Sequence, residues 1–313
     1  MKKTLTFILA LIAATAVMAQ KDIEKTAKAK DQAMGDAQPD STKSWFYIGT
    51  GTLTVNQAGF SNWAAGGENS LGLDAVLNLK ANYRHGKHAW ANTIDLGYGF
   101  QMLGYGSNPD FRKTNDKLEV TSAYGYQLTA NKKWFLTALV NFKTQFANGY
   151  NYPDDSTVIS KFMAPGYLLG GLGITYAPTK WVYFYLSPAS ARMTFVMDDS
   201  LSAQGQFGVD PGKNLKTEFG PYFRADMNKD LAKNINLATT FELYTDYLKN
   251  FGNIDVNWNL MLTMKVNKWL AATVTTQLIY DDDINIKSTA SDPGGPRTQF
   301  KEMIGVGLSY MIK

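Results

Sequence analysis

The sequence predicts an all-β protein, a transmembrane antiparallel up-and-down β-barrel of about 12 strands. Three observations predict it. The chain opens with an export leader, most of its length alternates apolar with small or polar residues in segments long enough to cross a bilayer, and its connections are by turns short and long.

The leader comes first. Lys2 and Lys3 precede an apolar run over 5–17 that closes on Val17-Met18-Ala19 before Gln20, the charged, apolar and small-residue regions of a signal peptide over 1–19. The run is too short and wrongly flanked for a spanning helix. Cleavage after Ala19 would remove two lysines and no acid, taking the formal charge from +4 to +2. A chain so near neutrality gives no electrostatic case for nucleic acid. It has no cysteine, which excludes a disulfide framework, a thiol nucleophile, a thiolate metal site and a lipidated N-terminal Cys. The barrel must therefore hold itself in the membrane.

Residues 20–43 are rich in Lys, Asp, Ala and Gln and hold almost no bulky apolar side chain. Such a segment buries too little surface to order itself, so it reads as a flexible periplasmic extension, with a partner-binding tail as the alternative. The barrel occupies 44–313.

Strands follow from a period of two. Trp90, Ile94, Leu96, Tyr98, Phe100 and Met102 alternate with Ala91, Thr93, Asp95, Gly97, Gly99 and Gln101. The same split sets Val256, Trp258, Leu260, Leu262 and Met264 against Asp255, Asn257, Asn259, Thr263 and Lys265. The expected strands are 46–55, 70–83, 89–103, 117–128, 134–146, 167–177, 181–196, 216–227, 234–247, 254–266, 269–281 and 300–312. An even count puts both barrel ends on one side, with short turns facing the periplasm and long connections, such as 104–116, facing outward.

One segment argues the other way. Residues 162–179 carry no charge and are long enough for a membrane helix, yet Pro165, Gly166, Gly170, Gly171, Gly173 and Pro178 interrupt them, and a glycine costs about 1 kcal/mol in a helix interior. A strand tolerates them better. Aromatics beside the turns, among them Trp45, Trp90, Trp134, Trp181, Trp269 and Tyr310, fit interfacial girdles.

If the greasy face meets lipid, the lumen receives Asp74, Asp95, Glu119, Lys143, Glu218, Arg224, Glu242, Asp255, Lys265 and Lys301. Both signs occur in similar numbers. These side chains either pair across the wall into a water-poor interior or line a narrow polar pore whose mixed charge shapes selectivity. A barrel of this size encloses more than an eight-stranded one and far less than a large porin.

Catalysis finds little support. A serine hydroxyl needs a base, and His85 and His88, the only histidines, both fall at the first short turn. A carboxylate pair acting without histidine stays open, but no spacing selects one. The expectation is no enzyme and no cofactor. Among the outer connections, Asp281, Asp282 and Asp283 are weak calcium candidates, with solvated loop acids as the plainer alternative. The connection containing Asn62, Trp63, Gly66, Gly67 and Glu68 reads as a plug or docking loop, or as a turn whose glycines only supply positive φ. Residues 111–117 read as a charged rim.

At these residues the chain resembles a Bacteroidetes outer-membrane β-barrel family described only as domain of unknown function 3078. The resemblance rests on 61–70, Arg112-Lys113-Thr114-Asn115-Asp116, Thr144-Gln145-Phe146, Gly149-Tyr150, Ala164-Pro165-Gly166-Tyr167, Leu186-Ser187-Pro188 and Tyr280-Asp281-Asp282-Asp283, and on a closing strand over 305–310. It implies an outer-membrane barrel from that phylum and brings no substrate or catalytic residue.

The leading expectation is a monomeric porin-like barrel in a Gram-negative outer membrane, passing a small polar solute. Outer-membrane lipid and lipopolysaccharide would surround it. The alternative is a non-conducting barrel that anchors or scaffolds a periplasmic or surface protein; an outer-membrane hydrolase is disfavoured.

Overall fold

In the computed structural model the described residues are 44–59, 68–104, 109–249, 251–267, 269–284, 286 and 293–312. The leader, the segment 20–43 and Asn62, Trp63, Gly66 and Gly67 lie outside them.

Antiparallel strands dominate the described chain: β1 (Trp45–Ala58), β2 (Ser70–His85), β3 (His88–Leu103), β4 (Asp110–Gln127), β5 (Trp134–Thr144), β6 (Gly149–Tyr150), β7 (Val158–Ser160), β8 (Gly166–Thr179), β9 (Val182–Phe195), β10 (Leu215–Ala232), β11 (Ile235–Tyr244), β12 (Asp255–Lys265), β13 (Leu270–Tyr280) and β14 (Gln299–Ile312). All except β6 and β7, which pair only with each other, form one closed barrel of neighbours in sequence order. Closure is made at β1, where Thr54 stands opposite Asp74 of β2 on one side and Gly307 of β14 on the other. Closure leaves the wall without an open sheet edge, a requirement in hydrocarbon.

No described helix is long and apolar enough to cross a membrane. The uncharged stretch after Phe162 is strand β8, as its glycines predict.

β4 starts earlier than expected, at Asp110, so most of the charged rim is strand and the connection before it is short. Phe100 pairs with Lys113 and Gln101 with Arg112 above a bulge that leaves Thr114 unpaired. Ladder hydrogen bonds need no apolar side chain, so a strand that continues past the lipid loses its hydrophobic period while keeping its pairing.

The wall has two faces. Leu53, Ile94, Val120, Leu136, Val140, Leu172, Leu186, Ile304, Val306 and Leu308 project outward and are each more than a third accessible. Shielding such a side chain from water is worth ~1.5–3 kcal/mol, and a continuous belt of them is stable only against lipid. Aromatics flank the belt: Trp45 stacks on Tyr47, Trp134 on Tyr176 and Trp269 on Tyr310 at the short-turn end. At the long-loop end, Phe219, Tyr247 and Phe251 form a second group.

The outer connections carry a small core of their own. Ala164, from the connection after β5, packs with Val196, Leu201 and Val209 from the connection after β9, against Phe207. Leu201 belongs to a single helical turn, α1 (Asp199–Ala203), whose first backbone groups are capped by the Asp198 carboxylate accepting from the Leu201 N–H at 2.9 Å. A hydrogen bond from Lys161 and the Leu201 cap hold the Asp198 carboxyl below its ordinary range.

Candidate functional site

Side chains on the inner face meet across the barrel. The Lys143 ammonium on β5 lies 2.6 Å from Glu242 Oε2 on β11 and 3.6 Å from Glu119 Oε1 on β4. Three strands separate β5 from β11 along the wall, so this contact crosses the lumen. Glu119 is also held by Lys117 at 2.8 Å and by the Asn141 amide at 2.9 Å.

Glu242 is 5 % exposed, and an ionised carboxylate so buried is tolerated only with full compensation. It has it. Tyr222 donates to Oε1 at 2.6 Å, Arg224 to the same oxygen at 3.1 Å, and Asn257 to Oε2 at 2.6 Å. Arg224 forks onto both oxygens of Asp226, which also accepts from Thr240 at 2.8 Å.

A second network sits closer to the long loops. Arg192 on β9 grips Glu218 with two N–H groups at 2.9 and 2.6 Å and reaches Asp255 on β12 at 2.6 Å. Its guanidinium lies 4.1 Å above the Tyr244 ring. Lys216 pairs with Glu218 at 3.2 Å and with Asp283 of the connection after β13. A third link joins Lys301 on β14 to Asn115 on β4 at 3.2 Å, again across the lumen.

The interior is lopsided. Leu139, Leu169, Tyr185, Tyr222 and Tyr244, with Ala123, pack into a buried cluster on the inner side of β4, β5 and β8–β11. The facing arc carries smaller side chains, Thr52, Thr54, Gly97, Gly99, Thr273, Thr275, Gly305 and Gly307, with the glycines set close against their neighbours. Met261, on the same face of β12 as Asn257 and Asn259, is 37 % exposed. The lumen is therefore open around Met261, on the short-turn side of the ion pairs.

Residues 55–150 match the model of a family described as a protein of unknown function, DUF3078.

That span runs from Val55 on β1 to Tyr150 on β6 and contains Asp74, Asp95, Glu119 and Lys143. No curated protein matches in sequence. Among solved structures, the NanC porin is 9 % identical, with 83 % of this chain and 98 % of that chain covered and a TM-score of 0.38. An outer membrane channel from Pseudomonas putida F1 is 10 % identical, over 89 % of this chain and 98 % of that one, at a TM-score of 0.38. The translocator domain of the autotransporter NalP from Neisseria meningitidis is 10 % identical, over 91 % and 95 %, at 0.32.

The remaining expected residues are placed as follows. Asp74 is 7 % exposed on the inner face and its Oδ2 has no hydrogen-bond partner among the described residues. It faces Gly99, where a Cβ would lie 2.3 Å from that oxygen. Asp95 accepts a hydrogen bond from Asn78, its neighbour in register. Lys265 is half-buried at the short-turn end of β12. Glu68 is exposed.

Asp281, Asp282 and Asp283 diverge: Asp283 goes to Lys216, Asp282 accepts from Asn253 at 2.6 Å, and Asp281 accepts from the Asp283 backbone N–H at 2.9 Å. Among the described residues no group of three acidic or histidine side chains converges as metal ligands. His85 and His88 face each other in register beside the first short turn, and His88 Nδ1 lies 2.5 Å from the Tyr124 hydroxyl.

Sequence reasoning missed Arg192. A register shift between Leu172 and Ile174, and another between Gly220 and Tyr222, put a bulge in β9 on both sides. The inner face passes there from Tyr185 and Ser187 to Ser190, Arg192 and Thr194, so strict alternation from Tyr185 sends Arg192 outward. Pro188, which cannot donate to a ladder, was the available signal.

Proposed function

We propose that the protein is a narrow channel in the outer membrane of a Gram-negative cell, passing small polar solutes between a wet vestibule at the short turns and a constriction crossed by Lys143 and Glu242. The observation that carries this reading is Met261, which faces the lumen and is 37 % exposed. An interior packed dry from end to end would bury it. The constriction holds both signs, in Glu119, Lys143, Arg224 and Glu242, so discrimination by charge is weak and by size is strong. Because the buried cluster fills the side of β4, β5 and β8–β11, the solute passes along the facing arc of β13, β14, β1 and β3.

In this reading the signal peptide ends at Ala19, residues 20–43 and the short turns lie in the periplasm, the long connections face out among lipopolysaccharide, and the closed wall stands as a monomer with no catalytic role. Planar-bilayer recording of the folded, heat-modifiable protein in salts of increasing ion size tests it. Steady steps that vanish above a size threshold support a narrow channel. Silence from folded protein overturns it and favours the anchoring role, in which the ion pairs serve as a seal.

A further inference from the structure

The outer wall carries a feature that the channel does not use. Tyr98 and Phe100 on β3 and Phe111 on β4 point away from the lumen at the long-loop end, with Phe100 and Phe111 6.0 Å apart. The connection after β5 turns back over this wall. Asp116 fastens it, accepting the backbone N–H groups of Phe146 and Ala147 at 2.7 and 2.9 Å and the Lys113 ammonium at 2.8 Å. Lys113 also donates to the Ala147 carbonyl at 2.9 Å, and its own N–H donates to the Tyr152 hydroxyl at 3.2 Å. Between loop and wall lies a cleft of about 310 Å³, closed on the loop side by Tyr150 and Tyr152.

What the cleft offers a ligand follows from the bonds already made. The Asp116 oxygens are spent on three donors. Among the described residues Arg112 commits Nε and Nη2 to Asp110 and lies over the Tyr152 ring at 5.6 Å, leaving Nη1, and Lys113 uses two of its three N–H groups. The cleft therefore presents unspent cationic donors above an aromatic floor, at the height where the outer leaflet meets the wall. A phosphate takes such donors in charge-assisted bonds, and an acyl chain covers such a floor.

We infer that this cleft holds one lipid of the outer leaflet whose phosphate headgroup is net anionic, its phosphate at Arg112 and Lys113 and a chain along Tyr98, Phe100 and Phe111. The inference rests on the lipid-facing wall and is independent of conduction. Native mass spectrometry of the folded barrel, released from detergent after addition of phosphatidylglycerol or phosphatidylethanolamine, tests it. One phosphatidylglycerol should survive activation that strips all phosphatidylethanolamine. Arg112→Gln should weaken that retention about ten-fold, the loss of one charge-assisted bond. Phe111→Ser, which keeps both cations, should weaken it too, and heat-modifiable migration checks that each variant is folded. Equal retention of the two lipids, no retention, or retention unchanged in both folded variants would overturn the assignment.

Discussion

Lys143 and Glu242 meet at 2.6 Å across the barrel although three strands lie between them along the wall. Their bridge is the step of the series Lys117–Glu119–Lys143–Glu242–Arg224 that crosses the lumen. Replacing Lys143 by alanine removes the crossing and strands neither carboxylate, because Glu119 keeps Lys117 and Asn141, and Glu242 keeps Tyr222, Arg224 and Asn257. The stability loss should thus stay below the 3–5 kcal/mol of an orphaned buried charge, at about 1–2 kcal/mol. Single-channel recording should show larger steps and a shift toward cations. Unchanged steps would mean that the passage lies elsewhere.

Leu260 and Asn259 are adjacent on β12 and face opposite media. Leu260 stands opposite Thr239 and Thr276 on the outer face, whereas Asn259 stands opposite Thr240 and Gln277 on the inner one. Arginine at Leu260 should cost about 2–4 kcal/mol near the bilayer midplane, and arginine at Asn259, which can reach lumen water, far less. Urea unfolding in lipid vesicles measures both. Equal losses would contradict the assignment of lipid and lumen faces.

The wall itself was legible because a strand with lipid on one side and a wet or polar lumen on the other must alternate at every residue. Asp95 beside Ile94 and Asn259 beside Leu260 announce that period without any tertiary information. Legibility ends where the period breaks. The β9 bulge hid Arg192, and the extension of β4 through Asp110 was hidden because Arg112 and Lys113 lie at the outer rim of the apolar belt, where pairing continues and hydrophobicity does not. The cross-lumen partners were beyond reach for another reason: alternation fixes the side on which Lys143 points, but only barrel closure and register bring Glu242 opposite it.

Asp281 lies just past β13, and burial, reinforced by the nearby Asp255 carboxylate, pushes its carboxyl up to about 6 from an ordinary 3.8. The folded chain then holds a proton at Asp281 over a range where the unfolded chain has released it. Stability at this site should fall as pH rises from about 4 to about 6 and level off above. Asp281→Asn lacks that titration, so its advantage over the wild type should grow through the same window and then stay constant. Urea midpoints of the two proteins at stepped pH measure the difference. A gap independent of pH would show that Asp281 titrates normally.

Gly307 closes the seam between the first and last barrel strands. It pairs with Thr54, and a Cβ there would lie 2.1 Å from the Leu53 carbonyl oxygen and 2.6 Å from the Thr54 Cα, both backbone atoms of the partner strand. Neither can yield without parting the strands, and parting them opens the barrel where its first and last strands meet. Gly170 on β8 supplies the control, since a Cβ there meets nothing within 4 Å. Gly307→Ala should therefore lower the folded, heat-modifiable fraction sharply, with a cost of about 1–3 kcal/mol from overpacking, whereas Gly170→Ala should be neutral or gain about 0.5 kcal/mol. Gel-shift folding yields in vesicles compare them directly. Equal yields would mean that the seam is looser than the approach of Gly307 to Leu53 requires.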